Sequence, residues 1–522
     1  VPATSLSRPA STIGLTAETI AEIAGHTSVP SVGPAPVAAD VRTLITGVSH
    51  DSHRVRPGDL FAALPGATTH GAAWAADAVA AGAVAVLTDQ AGADRIGTAT
   101  GAVSGVPTIV VPDPREVLGR VSAAIYGHPA EKLAVFGVTG TSGKTTTSYL
   151  IEAALAANGL TTGMIGTVET RIAGQVLPSD FTTPEAPDLQ ALLAVMVERG
   201  VAAVAMEVSS HALALGRVAA TGFAVGAFTN LSQDHLDFHP DMEHYFRAKA
   251  LLFDGRARAG VIDVDDPFGA RLAAENPTAA TVSTDPARQD TTWGLIEVGR
   301  GSLGSQLITA RGPDGLRLTF ELALPGSFNV ANALLALASV HAGGLDVRAG
   351  AAALSSVVVP GRMQPVDLGQ DFLAVVDYAH KPAALTAVLA AVRGSVPGRV
   401  IVVVGAGGDR DRAKRPMMGE QAALAAEIVV VTDDNPRSED PAAIRAEVLL
   451  GARTVDGTRI LEIGDRAEAI TAAVREARPG DAVVVAGKGH ELGQYQAGQI
   501  RHFSDVEELS RAVRERLEEA TP

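Results

Sequence analysis

The run KLAVFGVTGTSGKTTTSYLIEAALAANG, Lys132 to Gly159, decides the architecture of the central part of the chain. Its apolar start predicts a buried strand over Leu133 to Val138. A glycine-rich turn follows, and TTTSYLIEAALAANG predicts a helix stopped by Gly159 as a C-terminal cap. Strand, turn and helix in this order make a phosphate cradle: glycines let backbone N–H groups point inward, and the helix N-terminus adds its dipole. Within Gly140, Thr141, Ser142, Gly143, Lys144, Thr145 and Thr146, Lys144 would reach the β- and γ-phosphates and Thr145 would ligate Mg²⁺. The strict form of the motif wants Gly at 138, where Val138 stands, so the shorter G-x-x-G-K-T form remains. Such a loop implies a nucleoside triphosphate. It does not separate kinase, ATPase, GTPase or ligase.

Beyond this run the texture changes twice. Residues 1–131 hold short strands and an Ala-rich helix, with a Pro-, Ser- and Gly-rich loop from Ser28 to Asp40. Residues 132–359 continue the phosphate-loop domain, with further strands expected over Val201 to Val208 and Ala224 to Leu231. Residues 360–522 alternate strands (FLAVVDYA, RVIVVVGAG, EIVVVTDD, TRILEIG, DAVVVAGKG) with helices and close on a charged helix, for which Asp505 is the expected N-cap. Alternating βα units imply an α/β protein with doubly wound parallel sheets, whose ligands sit beyond the carboxyl ends of strands. Three domains are expected, with boundaries at 131/132 and 359/360.

Composition agrees with this class. Aromatics are only 4% of 522 residues, so the core must come from Val, Leu, Ile and Ala, which suits strands covered on both faces. A net charge of −16 without any Lys/Arg-rich run argues against nucleic acid as a partner. Cysteine is absent, which excludes disulfides, thiolate metal sites and a Cys nucleophile. Neither a secretory signal nor a run of about 18 apolar residues is found, so no membrane insertion and a cytoplasmic location are expected.

TGTSGKTT, MEVSSHALALGRV, NLSQDHLDFH, YFRAKALLF, SFNVANALLA and VVDYAHKP follow one another in the order seen in the Mur ligases and their folylpolyglutamate synthetase relatives, and the chain resembles that family. The resemblance implies that ATP phosphorylates a carboxylate and an amine attacks the acyl phosphate. It implies Mg²⁺, two ions, held by Thr145, Glu207, His235 and Lys249, with Lys249 carbamylated. Lysine suits that last position because its amine can lose a proton and react with CO₂, which a guanidinium cannot. By the same resemblance Asn329 and Asn332 contact adenine, and Arg362 and Asp377 contribute further ATP contacts.

The resemblance extends to both other substrates. TDDNPRSE, with Asp434, Asn435, Pro436 and Arg437, is similar to the signature of family members that add meso-diaminopimelate. The amino acid's distal carboxylate suits a planar guanidinium, whereas lysine would bring an ammonium there. Arg410 matches a second carboxylate contact; Gly487 and Glu491 match groups around the amino end. GAGGDR is no dinucleotide fingerprint, because Arg410 occupies its last glycine. His50, Asp51, Ser52, Ala67, Thr68 and Thr69 match contacts to the uridine side of a UDP-muramoyl-L-Ala-D-Glu acceptor, and Thr182, Thr183, Ser209 and Arg217 match contacts to its dipeptide. Phe181, Leu215, His50 and His53 depart from the family pattern. The alternatives are a lysine-adding or folylpolyglutamate-type ligase and, outside that class, a P-loop ATPase or binding module.

Overall fold

In the computed structural model, the strand that opens the phosphate loop spans Ala134–Thr139 and is buried from Val135 onward. The structure describes residues 8–25, 42–66, 68–98, 103, 105–179, 181–301 and 305–519. The expected loop from Ser28 to Asp40, and Ala67, lie outside them. The chain divides into two units, Val1–Thr281 with Ala338–Asp346, and Val282–Leu337 with Val347–Pro522.

In the first unit, Ala134–Thr139 lies between two parallel neighbours, Ala203–Glu207 and Phe223–Phe228. Register sets the chemistry: Glu207 pairs with Val138, so its carboxylate emerges level with the phosphate loop. Thr162–Ile165 adds a parallel strand outside Ala203–Glu207, and a hairpin of Glu169–Ile172 and Gln175–Pro178 closes that edge. Ala257–Asp263 runs parallel to Phe223–Phe228 on the other side. The helix after the loop spans Lys144–Ala157, with Asn158 at its C-cap and Gly159 next, at a φ of 78°.

The strands expected over Val201 to Val208 and Ala224 to Leu231 are shorter than their apolar runs. The second ends at Phe228 because the residues after it turn to the phosphate loop: the Thr229 hydroxyl donates to the Ser142 carbonyl at 2.6 Å, and Asn230 Nδ2 donates to it at 3.1 Å. Nearer the N-terminus, Gly47–Ser49, Asp59–Ala62, Ala85–Thr88 and Thr108–Val110 form a four-stranded parallel sheet in chain order.

The second unit contains the doubly wound sheet. Its strands lie in the order Gln364–Pro365, Leu373–Asp377, Ala482–Ala486, Val400–Val404, Ile428–Val431, Arg459–Glu462, all parallel except the first. Alternation along one strand shows why both faces are covered. Val400, Val402 and Val404 pack with Leu389, Met418 and Val448 on one side; Ile401 and Val403 pack with Ile470, Leu509 and Val513 on the other. Trimming such a residue, as in Ile401→Ala, costs about 2–5 kcal/mol. Three antiparallel strands, Trp293–Arg300, Gln306–Arg311 and Arg317–Leu322, also belong to this unit.

The expectation for Asp505 is corrected. It is the first residue of the helix Asp505–Glu519, and its carboxylate is fully buried against Arg466 at 2.7 and 2.8 Å. Ser504 Oγ accepts from the Glu507 amide instead, at 3.4 Å. A buried guanidinium 39 residues away in sequence takes the carboxylate that would otherwise cap the helix.

Candidate active site

The phosphate loop folds as its residues dictate. Gly140 has a φ of 145°, and a Cβ there would lie 1.8 Å from Thr229 Oγ1, so no side chain fits. Gly143 has a φ of 89° and leads into the helix at Lys144. Lys144 Nζ bends back to donate to the carbonyls of Gly140 and Thr141, at 2.9 and 3.0 Å. Ser142 N donates to Asn230 Oδ1, and the Thr141 hydroxyl lies 3.1 Å from that of Tyr245.

Glu207 is buried, and four donors surround its carboxyl end. Thr145 Oγ1 and Thr167 Oγ1 each donate to Oε2 at 3.0 Å, and Thr167 N donates to Oε1 at 2.7 Å. Thr183 Oγ1 donates to the Glu207 carbonyl at 2.9 Å. A buried carboxylate beside a phosphate-loop hydroxyl is a hard-oxygen donor pair of the kind Mg²⁺ takes, together with waters and phosphate oxygens. The residues therefore fit both the nucleotide and the metal. Among the described residues no three His, Asp or Glu side chains converge into a complete metal cage.

Lys249 is almost wholly buried, and its Nζ donates to the Gly140 carbonyl at 2.7 Å. Burial first, and the charge of Lys144 second, hold its ammonium well below the ordinary lysine pKa. Such an amine is available as a nucleophile. His235 has a φ of 53°; its ring lies 4.9 Å from that of His211 and 6.0 Å from that of Tyr245. Burial lowers its pKa, so its imidazole is held neutral, the form that ligates metals. Lys249 Nζ lies 4.7 Å from the Tyr245 ring centre. Tyr245 thus adjoins Thr141, His235 and Lys249, although nothing in its local sequence marks it out.

On the side expected to face the dipeptide, Thr182 Oγ1 lies 2.9 Å from Thr167 Oγ1. Thr183 Oγ1 accepts from Ser209 N at 3.1 Å. Arg217 donates to the Thr183 carbonyl at 3.1 Å and pairs with Glu185 at 2.9 Å, so its charge is already partly balanced. The departure at Phe181 has a partner: its half-exposed ring lies beneath the Arg217 guanidinium at 5.5 Å. Leu215 is the C-cap of the helix Ser210–Ala214. His50 follows the strand Gly47–Ser49, and Ser52 opens a short turn in which Asp51 accepts from the His53 amide. Thr68 and Thr69 lie in a turn closed by pairing of Pro65 with His70; Ala67 is outside the described residues.

In the second unit the expected residues gather at the carboxyl ends of neighbouring strands. Asp377 is buried and accepts from the amides of Met363 and Ala379 at 2.7 and 2.8 Å; burial raises its pKa. Arg362 stacks on Tyr378 at 4.5 Å, and the Tyr378 ring lies 5.2 Å from that of His490. Arg437 sits at a φ of 53° and is held by its backbone on both sides, its amide donating to the Tyr495 carbonyl and its carbonyl accepting from Ala497. Its Nη1 donates to the Gly408 carbonyl at 2.7 Å. Arg410 is exposed and shares the surroundings of Gly407 with Arg437. Gly487 has a φ of 123°, and a Cβ there would lie 2.7 Å from Asp434 Oδ2. Asn435 Nδ2 donates to Glu491 Oε2 at 2.9 Å, and Pro436 lies buried beside them. Asn329 and Asn332 lie three residues apart in the helix Ser327–Ala342, Asn332 Nδ2 donating to Asn329 Oδ1 at 3.2 Å. Thr167, Tyr245 and Lys488 are the neighbours that reading the sequence did not single out.

Three family descriptions match the chain: "Mur ligase family, catalytic domain" at 44–126, "Mur ligase middle domain" at 138–340 and "Mur ligase, glutamate ligase domain" at 361–489. The chain belongs to the Mur ligase family. Among its relatives is a UDP-N-acetylmuramoyl-L-alanyl-D-glutamate--2,6-diaminopimelate ligase of Corynebacterium glutamicum, 51% identical over 93% of this chain and 95% of that one. The enzyme of the same name from Streptomyces coelicolor is 50% identical over 97% and 98%. A solved structure, also titled as that ligase, superposes with a TM-score of 0.69 at 32% identity, covering 97% of this chain and all of the other.

Proposed function

We propose that the chain is an ATP-dependent ligase that joins meso-2,6-diaminopimelate to UDP-N-acetylmuramoyl-L-alanyl-D-glutamate, giving ADP, phosphate and the UDP-muramoyl tripeptide of peptidoglycan synthesis. The observation that carries the amino-acid assignment is the Asp434-to-Arg437 loop, whose arginine is fixed by hydrogen bonds on its amide, its carbonyl and its guanidinium. A planar cation held in one orientation can recognise a carboxylate through two parallel hydrogen bonds. The relatives about 50% identical carry the same activity in their names.

In this reading the backbone of residues 140–146 cradles the nucleotide's phosphates, and the Lys144 ammonium leaves its carbonyl partners for them. Thr145 and Glu207 hold one Mg²⁺; His235 and carbamylated Lys249 hold a second. The metal's contribution is charge neutralisation between γ-phosphate and carboxylate. Lys249 is suited to modification: its neutral amine adds CO₂ and releases one proton, giving an anionic oxygen donor. Thr182, Thr183, Ser209 and Arg217 position the dipeptide's carboxylate for phosphorylation, while His50, Ser52, Ala67, Thr68 and Thr69 hold the uridine side. Asn329, Asn332, Arg362 and Asp377 complete the nucleotide contacts. Asp434, Asn435, Pro436, Arg437, Arg410, Gly487 and Glu491 hold the amine that attacks the acyl phosphate.

We read the chain as three domains, 1–131 for the UDP-sugar, 132–359 for ATP and 360–522 for the amino acid. A cytoplasmic setting suits substrates of this class, and among the described residues no helix is long and apolar enough to cross a membrane. The test is ADP release with ATP and Mg²⁺, omitting each remaining substrate in turn. The proposal requires release to depend on both the UDP-muramoyl dipeptide and diaminopimelate. Turnover that ignores both would leave a P-loop ATPase.

A further inference from the structure

Lys488 is fully buried, yet an ammonium has three donors and no acceptor and must find oxygens wherever it is placed. It finds two. Its Nζ donates to Asn435 Oδ1 at 2.9 Å and lies 3.3 Å from Glu491 Oε2. Asn435 Oδ1 also accepts from the Tyr495 amide at 3.1 Å, while Asn435 Nδ2 donates to the same Glu491 oxygen at 2.9 Å.

These bonds form a closed logic. An asparagine amide can be turned end for end at little steric cost, exchanging donor for acceptor. Here the exchange would point an NH₂ at an ammonium and at a backbone N–H. Lys488 therefore forces the acceptor end of Asn435 toward itself and the donor end toward Glu491. Glu491 is thereby held by Oε2 from two directions, leaving Oε1 to face an incoming group. Of the two charges, only Glu491 is part-exposed, at 31%, so the carboxylate is presented and the ammonium stays behind it.

Resting on the function proposed above, we infer that Lys488 is a positioning residue for the amino-acid substrate: it locks the Asn435 amide and aims Glu491 at the substrate's amino end without touching the substrate. Removing it frees Asn435 to turn and Glu491 to swing, which weakens amino-acid binding and leaves the nucleotide contacts in place.

The test compares the full-length wild type with Lys488→Met, Glu491→Gln and the double variant, measuring KM for diaminopimelate and for ATP, kcat and thermal midpoint. The expected result is a rise of tenfold or more in KM for diaminopimelate with Lys488→Met, and less than twofold in KM for ATP. The double variant should bind diaminopimelate no worse than Glu491→Gln alone, since Lys488 acts through Glu491. An unchanged KM for diaminopimelate, equal rises for both substrates, or additive losses in the double variant would overturn the inference. If Lys488→Met fails to fold, a crystal structure of the wild type with diaminopimelate decides. Lys488 on Asn435 Oδ1, with Glu491 on the substrate amine, supports the role; an Asn435 amide turned the other way refutes it. A wild type that turns over L-lysine in preference to diaminopimelate refutes the proposed function, and the Lys488 comparison is then read on KM for lysine. A wild type that uses diaminopimelate, with a flat Lys488→Met result, refutes only this inference.

Discussion

Thr145 and Glu207 stand 62 residues apart and meet through a 3.0 Å hydrogen bond. The contact exists because Ala203–Glu207 pairs in parallel with Ala134–Thr139, bringing the last residue of one strand beside the turn that follows the other. Glu207→Gln keeps the shape and removes the charge. It should lower kcat by about 10²- to 10³-fold, the cost typical of losing one charge-stabilising group. It should also raise the Mg²⁺ concentration needed for half-maximal rate; a variant with unchanged Mg²⁺ dependence would place the metal elsewhere.

Lys249→Ala should lose most activity, about 10²-fold or more if it removes a metal ligand, and added short carboxylates should restore part of it. Intact-mass spectrometry of active wild type at neutral pH checks the chemistry directly. A mass lacking the CO₂ adduct in fully active protein would rule the carbamate out.

Arg437→Lys retains the charge and loses the planar fork. With a charged hydrogen bond contributing about 1.5–3 kcal/mol, KM for diaminopimelate should rise about 10- to 100-fold, with KM for ATP nearly constant. Equal losses for both substrates would mean that the arginine supports the loop without reading the amino acid.

The Arg466–Asp505 pair is fully buried. Asp505→Asn should destabilise the protein by about 3–5 kcal/mol, because the guanidinium is left without its counter-charge. Denaturant unfolding followed by circular dichroism measures it. A loss below about 1 kcal/mol would show that water reaches the site.

Burial, followed by the charge of Arg362, lowers the pKa of His490 to about 4. A histidine depressed in the fold binds its proton more readily when unfolded, so its share of stability is present above the unfolded value of about 6.5 and is lost as pH falls toward 4. His490→Gln should therefore shrink the drop in thermal midpoint between pH 7 and pH 5. An undiminished drop would assign the acid sensitivity to other groups.

What the sequence made legible was local or carried by the family pattern. The phosphate loop could be read because strand, glycines, lysine and helix are contiguous, and Glu207 because it ends an apolar run. Thr167 could not be read: a threonine after a short strand is unremarkable until pairing sets it against both oxygens of Glu207. Tyr245 was hidden for the same reason, since its three partners come from separate segments. Asp505 misled because a carboxylate before a helix is ordinary capping chemistry, and only tertiary structure shows Arg466 competing for it. Phe181, a departure from the family pattern, acquires a physical partner in Arg217.

The most direct test of the central claim is a competition. Wild-type protein receives ATP, Mg²⁺, UDP-N-acetylmuramoyl-L-Ala-D-Glu and equimolar meso-diaminopimelate and L-lysine, and the product mass is read at low conversion. The diaminopimelate-containing tripeptide should dominate by at least tenfold; equal or greater formation of the lysine product would contradict the account.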